Sequence, residues 1–238
     1  MGTDRRVILF SGGLDSFMTW WALKDENPVC VYFGLNHKYQ NKELQAIEKL
    51  EARVPKLKVT RDFNLDLSDY EEEDSYIPLR NLFLIQLASF YGDEVYITVQ
   101  AGEQTIPDRK PANLTKAGKL IELIGGKDYF KVIPYFTNLT KTEMVKKYIE
   151  FHQGNPNFLK LTSSCYNGSN CGDCPACFRR WVALSLNSID DYYMVPPWKT
   201  QTARNYVERA INRVYCKKRN EEILRAVTRK VYYKTWGF

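Results

Sequence analysis

The chain has 238 residues, of which 44% are hydrophobic, a size and composition that support one α/β core with a smaller appendage. The apolar run before Ser11 has only four residues, and no run of about 18 apolar residues occurs, so we expect neither a signal peptide nor a membrane-spanning helix. This predicts a soluble, cytoplasmic protein without membrane contact. The net charge of +6 lies entirely in residues 190–238, which contain 11 Lys and Arg residues against 5 Asp and Glu residues.

The apolar periodicity predicts strands and helices in alternation. Strands are expected at 6–10, 28–33, 57–60, 94–99 and 131–134. Helices are expected at 15–24, 41–53, 78–90, 114–124 and 140–151. This alternation is typical of an α/β fold, with a mostly parallel sheet covered by helices on both faces.

The first strand-to-helix connection has the sequence S-G-G-L-D-S, which we call the phosphate loop. Its residues are Ser11, Gly12, Gly13, Leu14, Asp15 and Ser16. In this position backbone N–H groups and the helix dipole converge on one anion, and two glycines let the backbone approach it closely. An ordinary turn is the alternative, but the complete sequence after a buried strand favours phosphate binding. No Gly-Lys-Ser/Thr follows, so this is not a Walker A motif.

Asp15, Ser16 and Lys141 are the candidate catalytic residues. A carboxylate such as Asp15 is expected to help organise Mg²⁺ on bound phosphates, and its alternative role is a favourable charge at the helix start. Lys141 lies in the first turn of a helix that begins with the capping-box sequence T-K-T-E at 140–143. A lysine there is unfavourable against the helix dipole, so we expect it to have a partner, either a phosphate, which it could reach, or another group.

Four of the six cysteines lie within 13 residues, and we call them the cysteine knuckle. They are Cys165, Cys171, Cys174 and Cys177. Four soft sulfurs at this spacing predict a closed tetrahedral zinc site with a structural role. An iron–sulfur cluster and disulfides are the alternatives, since Cys-x2-Cys-x2-Cys also occurs in iron–sulfur proteins. Cys30 and Cys216 stand apart from any motif, and buried core thiols are predicted for both, Cys216 within a helix.

Further motifs follow in order: I-P-L-R-N at 77–81, P-D at 107–108, L-T-K-T-E at 139–143 and then the cysteine knuckle. Together with the phosphate loop, this order resembles the 7-cyano-7-deazaguanine synthases, the QueC/ExsB family of PP-loop ATP pyrophosphatases, over about residues 6–190. The resemblance implies a Rossmann-like fold of the PP-loop (adenine nucleotide alpha hydrolase) type and zinc bound by the four cysteines. It also implies that the phosphate loop holds the pyrophosphate that leaves ATP.

The reaction implied by the resemblance is an ATP-dependent carbon–nitrogen ligation. The carboxylate of 7-carboxy-7-deazaguanine attacks the α-phosphate of ATP, ammonia displaces AMP to give an amide, and a second ATP drives dehydration to the nitrile. ATP, Mg²⁺ and Zn²⁺ are the expected cofactors, and the deazaguanine acid and ammonia are the expected small-molecule partners. Positioning and charge stabilisation suffice for adenylation, so no covalent nucleophile is required.

Candidate binding residues follow from chain position and from the family motifs. Arg80 and Asn81 begin a helix, where a substrate carboxylate would be stabilised, although a solvated Arg and a capping Asn are the alternative. Asp108, in the Pro-Asp motif, is a third candidate for substrate contact. Phe10 and Phe33 end the first two strands and resemble positions of the adenine pocket, with core packing as their alternative role.

Two features depart from the family pattern. Residues 101–114 form a shorter segment than usual in the region that shapes the substrate pocket, and the first gap of the cysteine knuckle is also short. The end product is therefore open between the nitrile, the amide and an acyl group transferred to a protein amine. A tRNA-modifying PP-loop enzyme is a further alternative, suggested by the basic tail. A binding module without catalysis is the last, and the intact phosphate loop disfavours it.

Residues 193–238 extend beyond the usual end of the family, and we call them the C-terminal extension. One apolar helical stripe is predicted from Ala203, Tyr206, Val207, Ala210, Ile211, Val214 and Tyr215, and a second from Ile223, Leu224, Val227 and Val231. The opposite face is basic, with Arg204, Arg209, Arg213, Lys217, Lys218, Arg219, Arg225, Arg229 and Lys230. Either these helices pack on the core or on a twin subunit in a homodimer, or they dock a protein or nucleic acid.

The chain is thus expected to comprise three units. Residues 1–155 form a PP-loop ATP-binding α/β domain, and residues 156–192 contain the cysteine knuckle and a following helix. Residues 193–238 form the basic helical extension, with Tyr232, Tyr233 and Trp236 near its end.

Overall fold

The five predicted strands form one parallel sheet. The structure, a computed structural model, describes residues 5–73, 75–103, 106–150, 153–167 and 170–230. The strands are β1 (Arg6–Leu9), β2 (Val29–Phe33), β3 (Val59–Asp62), β4 (Glu94–Thr98) and β5 (Lys131–Tyr135). They run parallel in the order β3-β2-β1-β4-β5. Each strand end lies within two residues of its predicted place.

Helices cover both faces of this sheet, as predicted. They are α1 (Leu14–Leu23), α2 (Gln40–Arg53), α3 (Arg80–Ala88), α4 (Pro111–Ile124), α5 (Lys141–Glu150), α6 (Pro156–Leu159), α7 (Pro175–Leu186), α8 (Gln201–Ile211) and α9 (Lys217–Lys230). One apolar cluster joins α1, α2 and α5 to the sheet through Phe17, Ile47 and Val145. A second cluster joins α3 and α4 to the opposite face through Ile85 and Leu114. The α/β class is therefore confirmed.

Two helices begin two or three residues from their predicted starts, for local backbone reasons. Helix α3 begins at Arg80 rather than at residue 78, because Leu79 adopts a left-handed conformation with φ of 56°. Helix α4 begins at Pro111, three residues before the predicted residue 114, because the fixed φ of proline suits the first helical position.

The predicted capping box at the start of α5 is present. The Thr140 hydroxyl accepts a hydrogen bond from the Glu143 N–H at 3.2 Å, and the Glu143 carboxylate accepts one from the Thr140 N–H at 2.9 Å. These two bonds satisfy backbone donors that the helix itself leaves unpaired. The first turn, which contains Lys141, is thereby fixed at the edge of the sheet.

The C-terminal extension packs its apolar residues against α7. The buried members of the predicted stripes are Ala203, Val207, Ala210, Ile223 and Val227, which share a cluster with Phe178 and Trp181. The prediction is wrong for Ile211 and Val214, which are 50% and 61% exposed, because α8 ends at Ile211 and the chain then leaves the stripe. Val231, Tyr232, Tyr233 and Trp236 lie outside the described residues.

At least two residues of the predicted basic face have partners within the chain. Lys218 forms an ion pair with Glu143 at 2.7 Å, and the Arg219 guanidinium lies 4.3 Å from the centre of the Tyr215 ring. Docking of a partner on this face stays a prediction, as do the three-unit division and a homodimer. Among the described residues, no helix combines the length and apolar character needed to cross a membrane.

Candidate active site

A cavity of about 250 Å³ opens at the carboxyl ends of β1, β2 and β4. In open parallel sheets ligands bind at this edge, where the connections diverge to the two faces. Most of the predicted site residues line it: Phe10, Ser11, Gly13, Leu14, Asp15, Ser16, Phe33, Arg80, Asn81 and Lys141. The structure therefore gathers residues from four separate chain segments around one space.

The phosphate loop is held in shape by its own side chains and by α2. The Ser16 hydroxyl donates to the Gly13 carbonyl at 3.1 Å, and the backbone N–H of Ser11 donates to the Ser16 hydroxyl at 3.3 Å. Gly12 has φ of 68°, and a Cβ there would lie 2.9 Å from the Glu43 carbonyl oxygen. Gly12 thus lets the loop pack closely against α2, and only glycine fits this position.

Asp15 and Lys141, predicted separately, form an ion pair in the cavity wall. The Lys141 Nζ lies 2.7 Å from both carboxylate oxygens of Asp15, although 126 residues separate them. Burial lowers the pKa of Lys141, and the Asp15 carboxylate opposes this shift. A buried ammonium group beside a helix N-terminus is poised to interact with a phosphate.

Arg80 and Asn81 reach the opposite part of the cavity from the first turn of α3. Arg80 Nη1 donates to the Tyr39 hydroxyl at 2.8 Å, and Asn81 Nδ2 donates to the Asp108 carboxylate at 2.8 Å. The left-handed Leu79 precedes them and sets the direction in which the helix starts. Asp108 contacts Asn81, so the structure places it behind Asn81, and its predicted contact with substrate stays a prediction.

Three further charged residues belong to this site and were not predicted. Glu103 is 5% exposed, and its carboxylate accepts from Arg109 Nη1 at 2.8 Å and from Arg179 Nη1 at 2.9 Å. All three line the cavity, and we call Arg109 and Arg179 the arginine pair. Burial by itself raises the pKa of Glu103, but the two guanidinium charges outweigh it and lower that pKa to about 2.

A histidine–carboxylate pair also lines the cavity and was not predicted. His37 Nε2 lies 3.1 Å from the Glu43 carboxylate, and the centre of its ring lies 4.1 Å from that of Tyr39. His37 is one of only two histidines in the chain and lies shortly after β2. Its place just after a strand could have indicated a position in the site. The arginine pair could have been found from its place next to two motifs. Arg109 follows the Pro-Asp motif, and Arg179 follows the last knuckle cysteine by two residues.

The cysteine knuckle has the geometry of a single metal site. Its four Sγ atoms lie within 4.8 Å of one another, and those of Cys171 and Cys177 are 3.9 Å apart. Tetrahedral zinc with Zn–S bonds of about 2.3 Å places sulfurs about 3.8 Å apart, so the residues fit zinc. Disulfides are absent among these cysteines. Hydrogen bonding within the cluster lowers the pKa of the Cys165 thiol and raises that of Cys177, because these closely spaced sulfurs share protons when no metal ion is bound.

The knuckle is anchored to the core by a buried arginine. Arg180 is fully buried and donates to the Asp191 carboxylate, the Thr162 hydroxyl and the Leu159 carbonyl at 2.7, 2.6 and 2.7 Å. A buried charge with this many partners rigidifies its surroundings. The first turn of α7, and with it Arg179, is therefore held firmly beside the cavity.

The two remaining cysteines differ from each other. Cys30 lies in β2 and is 2% exposed, which confirms a buried core thiol, and burial raises its pKa. The prediction is wrong for Cys216, which is half-buried and precedes α9. Its sulfur packs against Gly102, since a Cβ on that glycine would lie 3.4 Å from the Cys216 sulfur.

The parallel sheet, the glycine loop between β1 and α1, and the cavity above them define the PP-loop class of α/β proteins. A family model described as Queuosine biosynthesis protein QueC matches residues 56–188, which is more than half of the chain. The chain therefore belongs to the QueC family.

Curated relatives are similar over most of this chain. The 7-cyano-7-deazaguanine synthase of Acetivibrio thermocellus is 29% identical over 217 residues, 79% of this chain and 96% of that protein. That of a Marinomonas species is 25% identical over 222 residues, 79% of this chain and 97% of that protein. That of Sulfolobus acidocaldarius is 26% identical over 220 residues, but this chain spans about half of its length, the match covering 47%.

Proposed function

We propose that this chain is an ATP-dependent, cytoplasmic synthase that activates the carboxylate of 7-carboxy-7-deazaguanine as an AMP ester and joins it to nitrogen. The observation that supports this best is the single cavity in which the phosphate loop, the Asp15–Lys141 pair and Arg80 meet. The relatives named 7-cyano-7-deazaguanine synthase agree with this proposal. The arrangement suits a reaction between a triphosphate and an organic acid.

In the first step a carboxylate oxygen of the acid forms a bond to the α-phosphorus of ATP, and the bond from that phosphorus to the bridging oxygen breaks. Backbone N–H groups at the start of α1 stabilise the pyrophosphate that leaves. Lys141 adds a positive charge beside them. Asp15 is the residue that would hold Mg²⁺, which neutralises phosphate charge when bound. Arg80, oriented by Tyr39, and Asn81, oriented by Asp108, would bind the acid.

In the second step the nitrogen of ammonia forms a bond to the acyl carbon, AMP leaves and a proton passes to water. This gives the amide. For the nitrile, the amide oxygen attacks a second ATP at the α-phosphorus and pyrophosphate leaves. AMP then departs with that oxygen as the carbon–nitrogen triple bond forms and the nitrogen loses its protons to water.

The four knuckle cysteines would hold zinc as a structural ion. Four sulfur ligands complete a tetrahedral shell, so such an ion stabilises the fold and does not activate substrate. Its effect on the chemistry is indirect: it fixes the start of α7, which holds Arg179 at the cavity.

Sulfur transfer to tRNA is less well supported. Such chemistry normally requires cysteines that can receive sulfur at the active site. Among the described residues the cavity wall includes one cysteine, Cys165, which belongs to the knuckle. Cys30 is buried in β2 instead.

The proposal is tested by incubating the purified chain with ATP, Mg²⁺, ammonium and 7-carboxy-7-deazaguanine and identifying the products by mass spectrometry. Release of AMP together with the nitrile supports the full reaction. Amide alone, or an acyl group found on a protein amine, supports the same activation with a different fate. An Asp15→Asn variant should lose AMP release, whereas Asp25→Asn, at an exposed position, should keep it. No acid-dependent AMP release by the unaltered chain rejects the proposal.

A further inference from the structure

We infer that the arginine pair, held by Glu103, forms an oxyanion-binding subsite of the cavity that is separate from the phosphate loop. Its ligand is a phosphate or carboxylate group of the reactants. The identity of those reactants rests on the proposed function, whereas the subsite itself rests on geometry and charge. Glu103 is a positioning residue in this assignment, and Arg109 and Arg179 contact the ligand.

Glu103 fixes the two guanidinium groups without using up their donors. Each arginine gives one Nη to a different oxygen of the carboxylate. Arg179 also donates from Nε to the Pro175 carbonyl at 3.3 Å. Within the described part of the chain, no protein partner takes the remaining N–H groups of Arg109. A guanidinium has five donors in a rigid fork, so both arginines keep donors for an oxyanion.

The charges near Glu103 do not balance. One carboxylate faces two guanidinium groups, and both arginine side chains are about three-quarters buried, with 28% and 26% exposed. The nearby Asp15 carboxylate is already paired with Lys141, so it does not balance the second guanidinium. Arg219 lies close enough to influence Glu103 and adds further positive charge. Burial of an unbalanced charge is costly, and an anionic ligand offsets this cost.

The subsite lies between the region predicted to bind the acid, at Asn81, and the region predicted to bind phosphate, at Lys141. Arg109 directly follows Asp108, which contacts Asn81 on the acid side of the cavity. Arg179 interacts electrostatically with Lys141 on the phosphate side. The arginine pair therefore borders both reactants, and either the triphosphate or the carboxylate of the acid can supply the oxyanion.

Binding measurements on the complete chain separate these two sources. Isothermal titration calorimetry with ATP–Mg²⁺, with 7-carboxy-7-deazaguanine and with inorganic pyrophosphate is made on the unaltered chain, on Arg109→Gln, on Arg179→Gln and on Arg53→Gln. Arg53 is an exposed arginine at the end of α2 and is the matched control. We expect the Arg109 and Arg179 variants to bind one class of probe about 10- to 100-fold more weakly, since hydrogen bonds to charged groups are worth this much.

The outcomes are distinct. Weaker binding of ATP and pyrophosphate identifies the triphosphate as the ligand, and weaker binding of the acid alone identifies its carboxylate. Unchanged binding of all three probes by both variants overturns the subsite. If the variants lose pyrophosphate binding, the subsite is supported even where the acid does not bind. Failure of the unaltered chain to bind the acid would reject the proposed function instead. Arg179→Lys, which keeps the charge but not the fork, should bind with intermediate affinity and is measured if the glutamine variant does not fold.

Discussion

The phosphate loop and the arginine pair line the same cavity, but the chain supplies them differently. The loop consists of six consecutive residues, 11–16, which follow β1 and include the first three residues of α1. Glu103 and Arg109 lie in the connection between β4 and α4, whereas Arg179 lies in α7, 76 residues from Glu103. A site made of consecutive residues can be recognised in one sequence, whereas a site assembled by folding is visible only when the segments are packed together. Single substitutions in or beside the two regions are also expected to have effects of different kinds and sizes.

The largest effect is expected beside the phosphate loop, from Lys141→Met. The substitution keeps side-chain length but removes the charge that lies 2.7 Å from Asp15. We expect kcat for acid-dependent ATP–pyrophosphate exchange to fall by about 100-fold or more, because the charge that faces the leaving group is lost. Lys146→Met, at an exposed position of the same helix, should keep the unaltered rate. Normal exchange by a folded Lys141→Met variant would contradict the role given to Lys141.

The cysteine knuckle supports the region of Glu103 and the arginine pair, and Cys174→Ser should remove that support. Loss of one of four sulfur ligands is expected to abolish stoichiometric zinc and to lower Tm by about 10 °C, since bound metal contributes directly to folding. Zinc content by mass spectrometry and Tm by calorimetry check this. Cys216→Ser is the matched control, and it should keep its zinc because Cys216 lies outside the knuckle. A Cys174→Ser variant with full zinc and unchanged Tm would argue against a four-sulfur site.

The ionisation of Glu103, which holds the arginine pair, should make the stability of the fold depend on pH. Its pKa is about 2 in the folded chain against an ordinary value of 4.5. Because the folded pKa is the lower one, the ionised carboxylate stabilises the fold above about pH 4.5, and this contribution is lost as the pH falls toward 2. Glu103→Gln should therefore reduce the free energy of unfolding by about 3 kcal/mol at pH 7.

Urea unfolding of the unaltered chain and of Glu103→Gln, at pH 7 and again at pH 3, tests this prediction. The difference between the two proteins should shrink at pH 3, because the unfolded chain then binds the proton and the folded chain still does not. A difference that stays constant between the two pH values would show that Glu103 is not held ionised by the arginine pair.

The smallest effect is expected from Lys218→Ala, which removes the ion pair between α9 and Glu143 at the start of α5. Lys218 is 57% exposed, so water and salt screen the pair strongly. We expect Tm to fall by less than about 3 °C, and by less still in concentrated salt. Lys217→Ala, an exposed neighbour, should leave Tm unchanged. A large, salt-independent decrease would show that α9 supports α5 mainly through this pair.

The sequence alone predicted much of the fold, and the reasons are local. The apolar strands, the glycine loop, the capping box at Thr140 and the spacing of the knuckle cysteines each lie within a short segment. The ends of elements were less predictable because they depend on backbone conformation. The left-handed Leu79 and the first-position Pro111 moved two helix starts by two and three residues.

The rest of the site could not be predicted because its residues meet only through tertiary packing. Nothing in the sequence near Glu103 indicates that two arginines will share its carboxylate. Similarly, the apolar pattern of the C-terminal extension predicted helices, but not that Glu222 would accept a hydrogen bond from the Thr140 hydroxyl at 2.5 Å. Ile211 and Val214 fit the helical period, yet α8 ends at Ile211 and both side chains are exposed.

The bond between Thr140 and Glu222 has a consequence for synthesis of the chain. These residues are 82 positions apart, which a ribosome takes roughly 4 to 16 s to translate. Until then Thr140 lacks its α9 partner, and Arg179 emerges only partway through this interval. Cavity assembly is therefore a late event in translation, and a nascent chain that already contains the phosphate loop still lacks part of the cavity wall.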